Sequence, residues 1–101
     1  MGTFTYGSAS HEVAFDDRLL AHLLAVISIK LRRGECFLFT WSLSVDDIST
    51  ERSVWMNPST ALSFELPSSA TRPLNPEWIE ELTRAANSSF GLTPRPEPVA
   101  A

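Results

Sequence analysis

The sequence predicts an α+β fold in which a mainly antiparallel sheet of about five strands packs with two helices, in the order β-β-α-β-β-β-α. Three observations carry this reading. Apolar side chains between Leu19 and Leu31 recur at the three- and four-residue spacing of a helix face. Asn75-Pro76-Glu77 has the chemistry of a helix start, with a capping side chain, a proline at the first helical position and a carboxylate in the first turn. The remaining apolar stretches are short and bounded by Gly, Pro, Asn and Ser, as strands are.

Thr3–Tyr6 and Glu12–Phe15 alternate apolar and polar residues on either side of Gly7-Ser8-Ala9-Ser10. They predict a hairpin whose apolar positions are Phe4, Tyr6, Val13 and Phe15. Asp16 or Asp17 then caps a helix. Leu20, Leu24, Ile27 and Leu31 form its inner stripe, widened by Leu19, Leu23 and Val26. The opposite face carries Arg18, His22, Arg32 and Arg33, with Ala21, Ala25 and Ile29 among them. Lys30, Arg32 and Arg33 occupy the last turn, where cations complement the helix dipole, and Gly34 ends the helix.

Cys36-Phe37-Leu38-Phe39-Thr40-Trp41 is apolar on both pleat faces for most of its length, which predicts a central strand. Residues 35–43 are expected to form an interior ribbon covered from above and below. Ser44–Glu51 reads as a polar, acidic loop around Asp46 and Asp47. Ser53–Met56 and Ala61–Leu66 read as two strands joined by the turn Asn57-Pro58-Ser59-Thr60. Leu62, Phe64 and Leu66 share one face of the second. A loop over Pro67–Leu74 leads to the second helix, whose inner face is Trp78, Ile79, Leu82, Ala85 and Ala86, with Glu80 and Arg84 paired outside. It is expected to end near Asn87–Ser89, before Gly91. The organisation predicted is one domain over residues 1–92, followed by a Pro-rich flexible tail over 93–101.

Composition narrows the function classes. Hydrophobic residues make up 44% and charged residues 20% of the 101, so a packed domain is expected rather than disorder. The net charge of −4 repels phosphate backbones and anionic membranes. Cys36 is the only cysteine, which rules out an intramolecular disulfide and fits a cytoplasmic location. The longest apolar run, Leu19–Ile29, includes His22 and is much shorter than the roughly 20 residues of a membrane span.

No catalytic, metal or cofactor site emerges. His11 and His22 lack the spacing and partners of a metal centre, and Cys36 has no base placed beside it by the sequence. Asp46 and Asp47 are adjacent, so their side chains tend to point apart. The four glycines form no phosphate loop. Two surfaces are candidates for binding. Lys30, Arg32 and Arg33, with Arg18 further back, are a candidate nucleic-acid contact. Three phosphate contacts would give a weak interaction, losing about 2.7 in log K per decade of salt. Set against the acidic balance, dipole complementation and a solvated face account for the same residues. The order α-β-β-β-α from Asp17 to Ser89 is that of a double-stranded RNA-binding domain, but Glu77, Glu80 and Glu81 open the second helix where such a domain needs cations. The other candidate is a partner surface. If both helices cover one side of the sheet, Phe37, Phe39 and Trp41, or else Cys36 and Leu38, face water on the other. If the sheet is covered on both sides, neither set does.

Whole segments of the chain resemble a known family. MGTFTYG, DDRLLAHLLAVISIKLRRGECFLFTW, WMNPSTALSFEL and LNPEWIEELTRAANSSFGL, ending near PEP, are similar to short uncharacterised actinobacterial proteins, some of which carry the label ATP-dependent DNA ligase. The resemblance implies no catalytic residue set. The label implies at most an accessory role in DNA maintenance, because a ligase of that kind forms a lysyl-adenylate within Lys-x-Asp-Gly. The single lysine here lies in Lys30-Leu31-Arg32-Arg33-Gly34. The function expected is a non-enzymatic interaction module that self-associates. The alternative is an accessory nucleic-acid-binding protein, and no membrane or small-molecule partner is inferred.

Overall fold

The computed structural model describes residues 2–7, 11–68 and 73–98. The first hairpin loop at 8–10, the middle of the loop after Pro67 and the last three residues lie outside that set. The element order is β1 Gly2–Tyr6, β2 His11–Phe15, α1 Asp17–Arg32, β3 Phe37–Val45, β4 Ile48–Met56, β5 Leu62–Glu65 and α2 Pro76–Ala86. It is the expected α+β order.

The five strands form two antiparallel sheets. One has the order β2-β1-β5 and the other is the β3-β4 hairpin. β3 and β4 are each nine residues long and pair from Phe37↔Met56 to Val45↔Ile48. The expected acidic loop over Ser44–Glu51 is therefore mostly strand. Asp46 and Asp47 alone make the turn, with φ of 52° and 62°. Two consecutive left-handed residues form the type I′ turn that matches the twist of a tight hairpin, and aspartate tolerates that region better than most side chains.

The sheets meet through aromatic rings. Phe4 of β1 lies edge-on to Phe39 and Trp41 of β3, at centroid distances of 5.7 and 6.3 Å, and stacks at 5.1 Å on Phe64 of β5. Phe15 of β2 reaches Phe39 and Trp41 at 6.1 and 6.2 Å. Leu20, Leu23, Val26 and Ile27 of α1, Met56, Leu82 and Leu92 complete the core. A parallel bridge joins Leu92 to Phe39: Leu92 N–H donates to Leu38 O at 2.8 Å, and Thr40 N–H to Leu92 O at 2.9 Å. Gly91 makes this approach possible. Its φ is +82°, and a Cβ there would lie 2.5 Å from Leu38 O.

α1 is buried on two sides, between the sheet and α2, so its inner face is wider and rotated from the expected stripe. Leu23 is fully buried while Leu24 and Leu31 are only partly so, and His22 and Lys30 are interior. Asp16 caps α1 by accepting from the N–H groups of Arg18 and Leu19; Asn75 caps α2 by accepting from Glu77 N–H.

Two polar links then join the helices. His22 is 0% exposed and lies over Trp78 at 4.4 Å between centroids. Its Nε2 accepts from Asn75 N–H at 2.8 Å, so Nδ1 carries the proton and donates to Arg18 O at 2.7 Å. At the other end Lys30 Nζ donates to Asn87 Oδ1 and pairs with Glu35 Oε1 at 2.6 Å. Because the first link joins the early part of α1 to the start of α2, and the second joins their ends, the helices run in the same direction.

Residues 93–98, expected as part of a flexible tail, take no regular secondary structure and are tied to both helices. Glu97 accepts from Arg18 Nε and Nη2 at 2.8 and 2.9 Å and from Asn75 Nδ2 at 3.0 Å. Trp78 Nε1–H donates to Arg95 O at 3.0 Å. The bonds from Arg18 and then Asn75 hold the Glu97 carboxyl at about 2, below its usual 4.5.

Two tests follow from this packing. Leu23→Ala should lower the unfolding free energy by about 2–5 kcal/mol, as truncation of a core leucine does, and Leu24→Ala by clearly less; urea denaturation measures both. The Glu97 carboxylate stabilises the fold fully above its unfolded value near 4.5, and that contribution is lost as pH falls from there toward 2. In Glu97→Gln this part of the acid limb should disappear from a plot of melting midpoint against pH; an unchanged limb would contradict the docking of the tail.

Candidate interaction surface

The four cations proposed for nucleic acid do not form one patch. Arg18 stands at the start of α1 and is held by Glu97, while Lys30, Arg32 and Arg33 stand at its end. Lys30 is 6% exposed and bound to Asn87 and Glu35, with its ammonium 5.9 Å from the centre of the Phe37 ring. Arg33 Nε lies 3.5 Å from Glu35 Oε2. Lys30, the first cause, and Arg33 together keep the Glu35 carboxyl below its usual range. Arg32 is exposed. Three of the four cations are thus paired with carboxylates, Lys30 and Arg33 sharing Glu35.

The aromatic set proposed as a partner surface requires correction. Phe37, Phe39 and Trp41 are buried because their face of β3 packs on the rings of β1 and β2. The opposite face is the open one. There Cys36 is exposed, Leu38 is partly covered, and its cross-strand neighbour Trp55 is 55% exposed. Phe90, at 82%, is a second exposed ring in the segment that follows α2. Cys36, Leu38 and Trp55 border a shallow cleft of about 290 Å³ with Lys30, Asn87 and Gly91. Sequence reading placed Trp55 in a strand without assigning it a face; its neighbours Ser53 and Arg52, both polar, are the signal that this strand lies at the surface.

Beyond Trp41 the hairpin leaves the core, apart from Leu43, which is half-buried against it. Ser42, Ser44 and every residue from Asp46 to Ser53 are exposed, and Ile48 is 66% exposed beside the turn. The expected interior ribbon over residues 35–43, covered from above and below, is not found. β3 belongs to a two-stranded sheet, its face carrying Phe37, Phe39 and Trp41 is buried, and the face carrying Cys36 and Leu38 is the open one. Residues 42–53 form a two-stranded arm. Its free backbone groups follow from the turn. Val45 and Ile48 flank a two-residue loop and exchange both hydrogen bonds, so the pairing alternates from there. On β3 the even-numbered residues point their N–H and C=O away from β4, and on β4 the odd-numbered residues point theirs away from β3. Three observed bonds agree with this alternation: the two between β3 and Leu92, and the one Tyr6 Oη donates to Trp55 O at 2.5 Å. Further out, the outward groups of Ser42, Ser44, Ser49, Glu51 and Ser53 have no backbone partner among the described residues.

The edge of β3 opens at a definite point. Continuing the parallel ladder past Leu92 would require the N–H of residue 94, which is Pro94 and has none. Phe15, Thr40, Trp41, Ser42, Glu51, Thr93 and Pro94 line a cleft of about 350 Å³ there. The indole N–H of Trp41 is buried without an acceptor among the described residues.

Lys30→Ala should destabilise the fold by about 1–3 kcal/mol, since it removes the charged hydrogen bonds of a buried side chain, whereas Arg32→Ala should stay within about 0.5 kcal/mol. Thermal melts of the two variants check the assignment of Lys30 as interior and Arg32 as surface.

No helix is long and apolar enough to cross a membrane, and no group of three or more His, Cys, Asp or Glu side chains suited to a metal ion occurs among the described residues. Comparison with curated proteins and with solved structures finds no match. One family model does match, over residues 1–97, and the chain therefore belongs to the family described as domain of unknown function DUF7882.

Proposed function

We propose that this protein is a non-enzymatic interaction module that associates with itself, and that the arm of residues 42–53 is the element that engages the partner. The observation that carries the reading is how little core the arm has: its described side chains are exposed except for the half-buried Leu43, and the outward backbone groups of Ser42, Ser44, Ser49, Glu51 and Ser53 have no backbone partner among the described residues. A two-stranded ribbon in water is marginally stable, and pairing or packing with a further strand is what completes it. The exposed Trp55 at its base extends the same surface. The ligase activity that the sequence resemblance hints at has no counterpart in the chemistry of Lys30, whose ammonium is bound to Asn87 and Glu35 and whose sequence setting is not Lys-x-Asp-Gly.

Light scattering across a micromolar concentration series tests the proposal. The mass should rise from that of one chain toward that of two. The rise should be steeper at higher salt, because two copies each carrying −4 repel and salt screens them. A strict monomer at every concentration and salt contradicts self-association. Nucleic-acid binding predicts the reverse salt dependence, and a low-salt titration with single- and double-stranded DNA and RNA should give no binding.

A further inference from the structure

The proposal of self-association leaves open which edge of the arm pairs, and the edges differ in chemistry. Natural sheets guard their free edges with charges, prolines, bulges or short strands. β2 carries Glu12, β5 is four residues long and ends in Glu65, and β4 carries Glu51 and Arg52 side by side. Two copies paired along β4 about a dyad at residue 51 or 52 would set Glu51 against Glu51 or Arg52 against Arg52, which is unfavourable across strands. The outer edge of β3 beyond Thr40 is different. Trp41-Ser42-Leu43-Ser44-Val45 contains no charge, no proline and no glycine. In a molecule of net charge −4, this uncharged stretch meets a copy of itself with no like charges opposed.

Resting on that reading, we infer that the partner at this edge is a second copy of the chain, paired antiparallel through β3 about a two-fold axis at Leu43. The register follows from the backbone. Only even-numbered residues of β3 point outward, so hydrogen-bonded pairs must form between even-numbered residues. Opposing Ser42 to Ser44 of the second copy uses the open groups of both residues in each chain. Shifting the axis to Ser42 would bring the second copy's Ser44 against Thr40, whose N–H is already taken by Leu92. Shifting it to Ser44 would leave Ser42 facing the partner's turn. In the chosen register Leu43 faces its own counterpart in a close, non-hydrogen-bonded pair, with Cα atoms about 4.5 Å apart. The result is a four-stranded sheet in the order β4-β3-β3-β4, closed by symmetry so that it cannot grow through this edge.

The cleft at Trp41 fits the same arrangement. The partner strand ends at Val45, one residue before Thr40, and turns there through Asp46 and Asp47. The segment that this register brings to the cleft lined by Trp41 is therefore a turn rich in hydrogen-bond acceptors.

Engineered cysteines locate the contact. With Cys36→Ser as background, Leu43→Cys should form an intermolecular disulfide under mild oxidation, because paired Cα atoms about 4.5 Å apart lie within disulfide reach, while Glu51→Cys should not. Ser42→Pro removes an N–H that no strand of the monomer uses, and should weaken dimerisation at least tenfold with little change in the melting point of the dilute monomer. A dimer that crosslinks through residue 51 and not 43, or that is untouched by Ser42→Pro, overturns the β3 register while leaving self-association standing. A monomer under all conditions overturns both.

Discussion

The length of β3 relative to the core that covers it is the constraint on which the rest of this structure depends. Phe37, Phe39 and Trp41 point into the space between the sheets, and the rings of Phe4 and Phe15 close over them. The apolar face is satisfied at Trp41. The strand continues to Val45 and returns through β4, so the outer part of the hairpin is carried by a domain that adds only the partial burial of Leu43 among its described side chains. Gly91 and Pro94 define where the neighbouring segment helps and where it stops: Gly91 allows Leu92 against the strand, and Pro94 ends the ladder.

Burial also explains why the charges that might serve recognition are occupied. α1 lies between a sheet and a parallel helix, which leaves little of its circumference for solvent. His22 and Lys30 fall inside, and each is satisfied by an end of α2: His22 by the backbone of the capping Asn75, and Lys30 by Asn87 just past the helix. Buried polar groups persist only when hydrogen-bonded, and here the satisfying groups set how the helices lie together. Arg18 is drawn by Glu97 into holding residues 93–98 at the opposite end. Polar residues that could suggest a binding face are thus structural, and the arm is a part of the described fold with open hydrogen-bonding groups to offer.

Much of the fold was legible in the sequence, because the signals were local. Element order, both helix starts and the Gly34 stop follow from capping and periodicity. The two aspartates at the hairpin turn read as a loop, since a type I′ turn is ordinarily announced by glycine or asparagine, and without that signal the length of β3 and β4 is not visible in the sequence. The faces of β3 could not be ranked: Phe37-Leu38-Phe39 is apolar in both phases, and only the position of β1 and β2 decides which side is covered. His22 and Lys30 were assigned to a solvated face because a single helix projection does not reveal a second packed neighbour. For the same reason Trp55 was placed in a strand but not on its open face.

Site-resolved amide hydrogen exchange of the dilute monomer tests most directly whether the core ends at Trp41 and the arm lies beyond it. The account predicts that Phe39 and Trp41 exchange only through global unfolding, whereas Ser42 and Ser44 exchange at rates close to those of an unstructured chain and slow as the protein is concentrated. Protection of Ser42 and Ser44 in the dilute monomer equal to that of Phe39 would contradict it, because those amides would then be held by the domain itself.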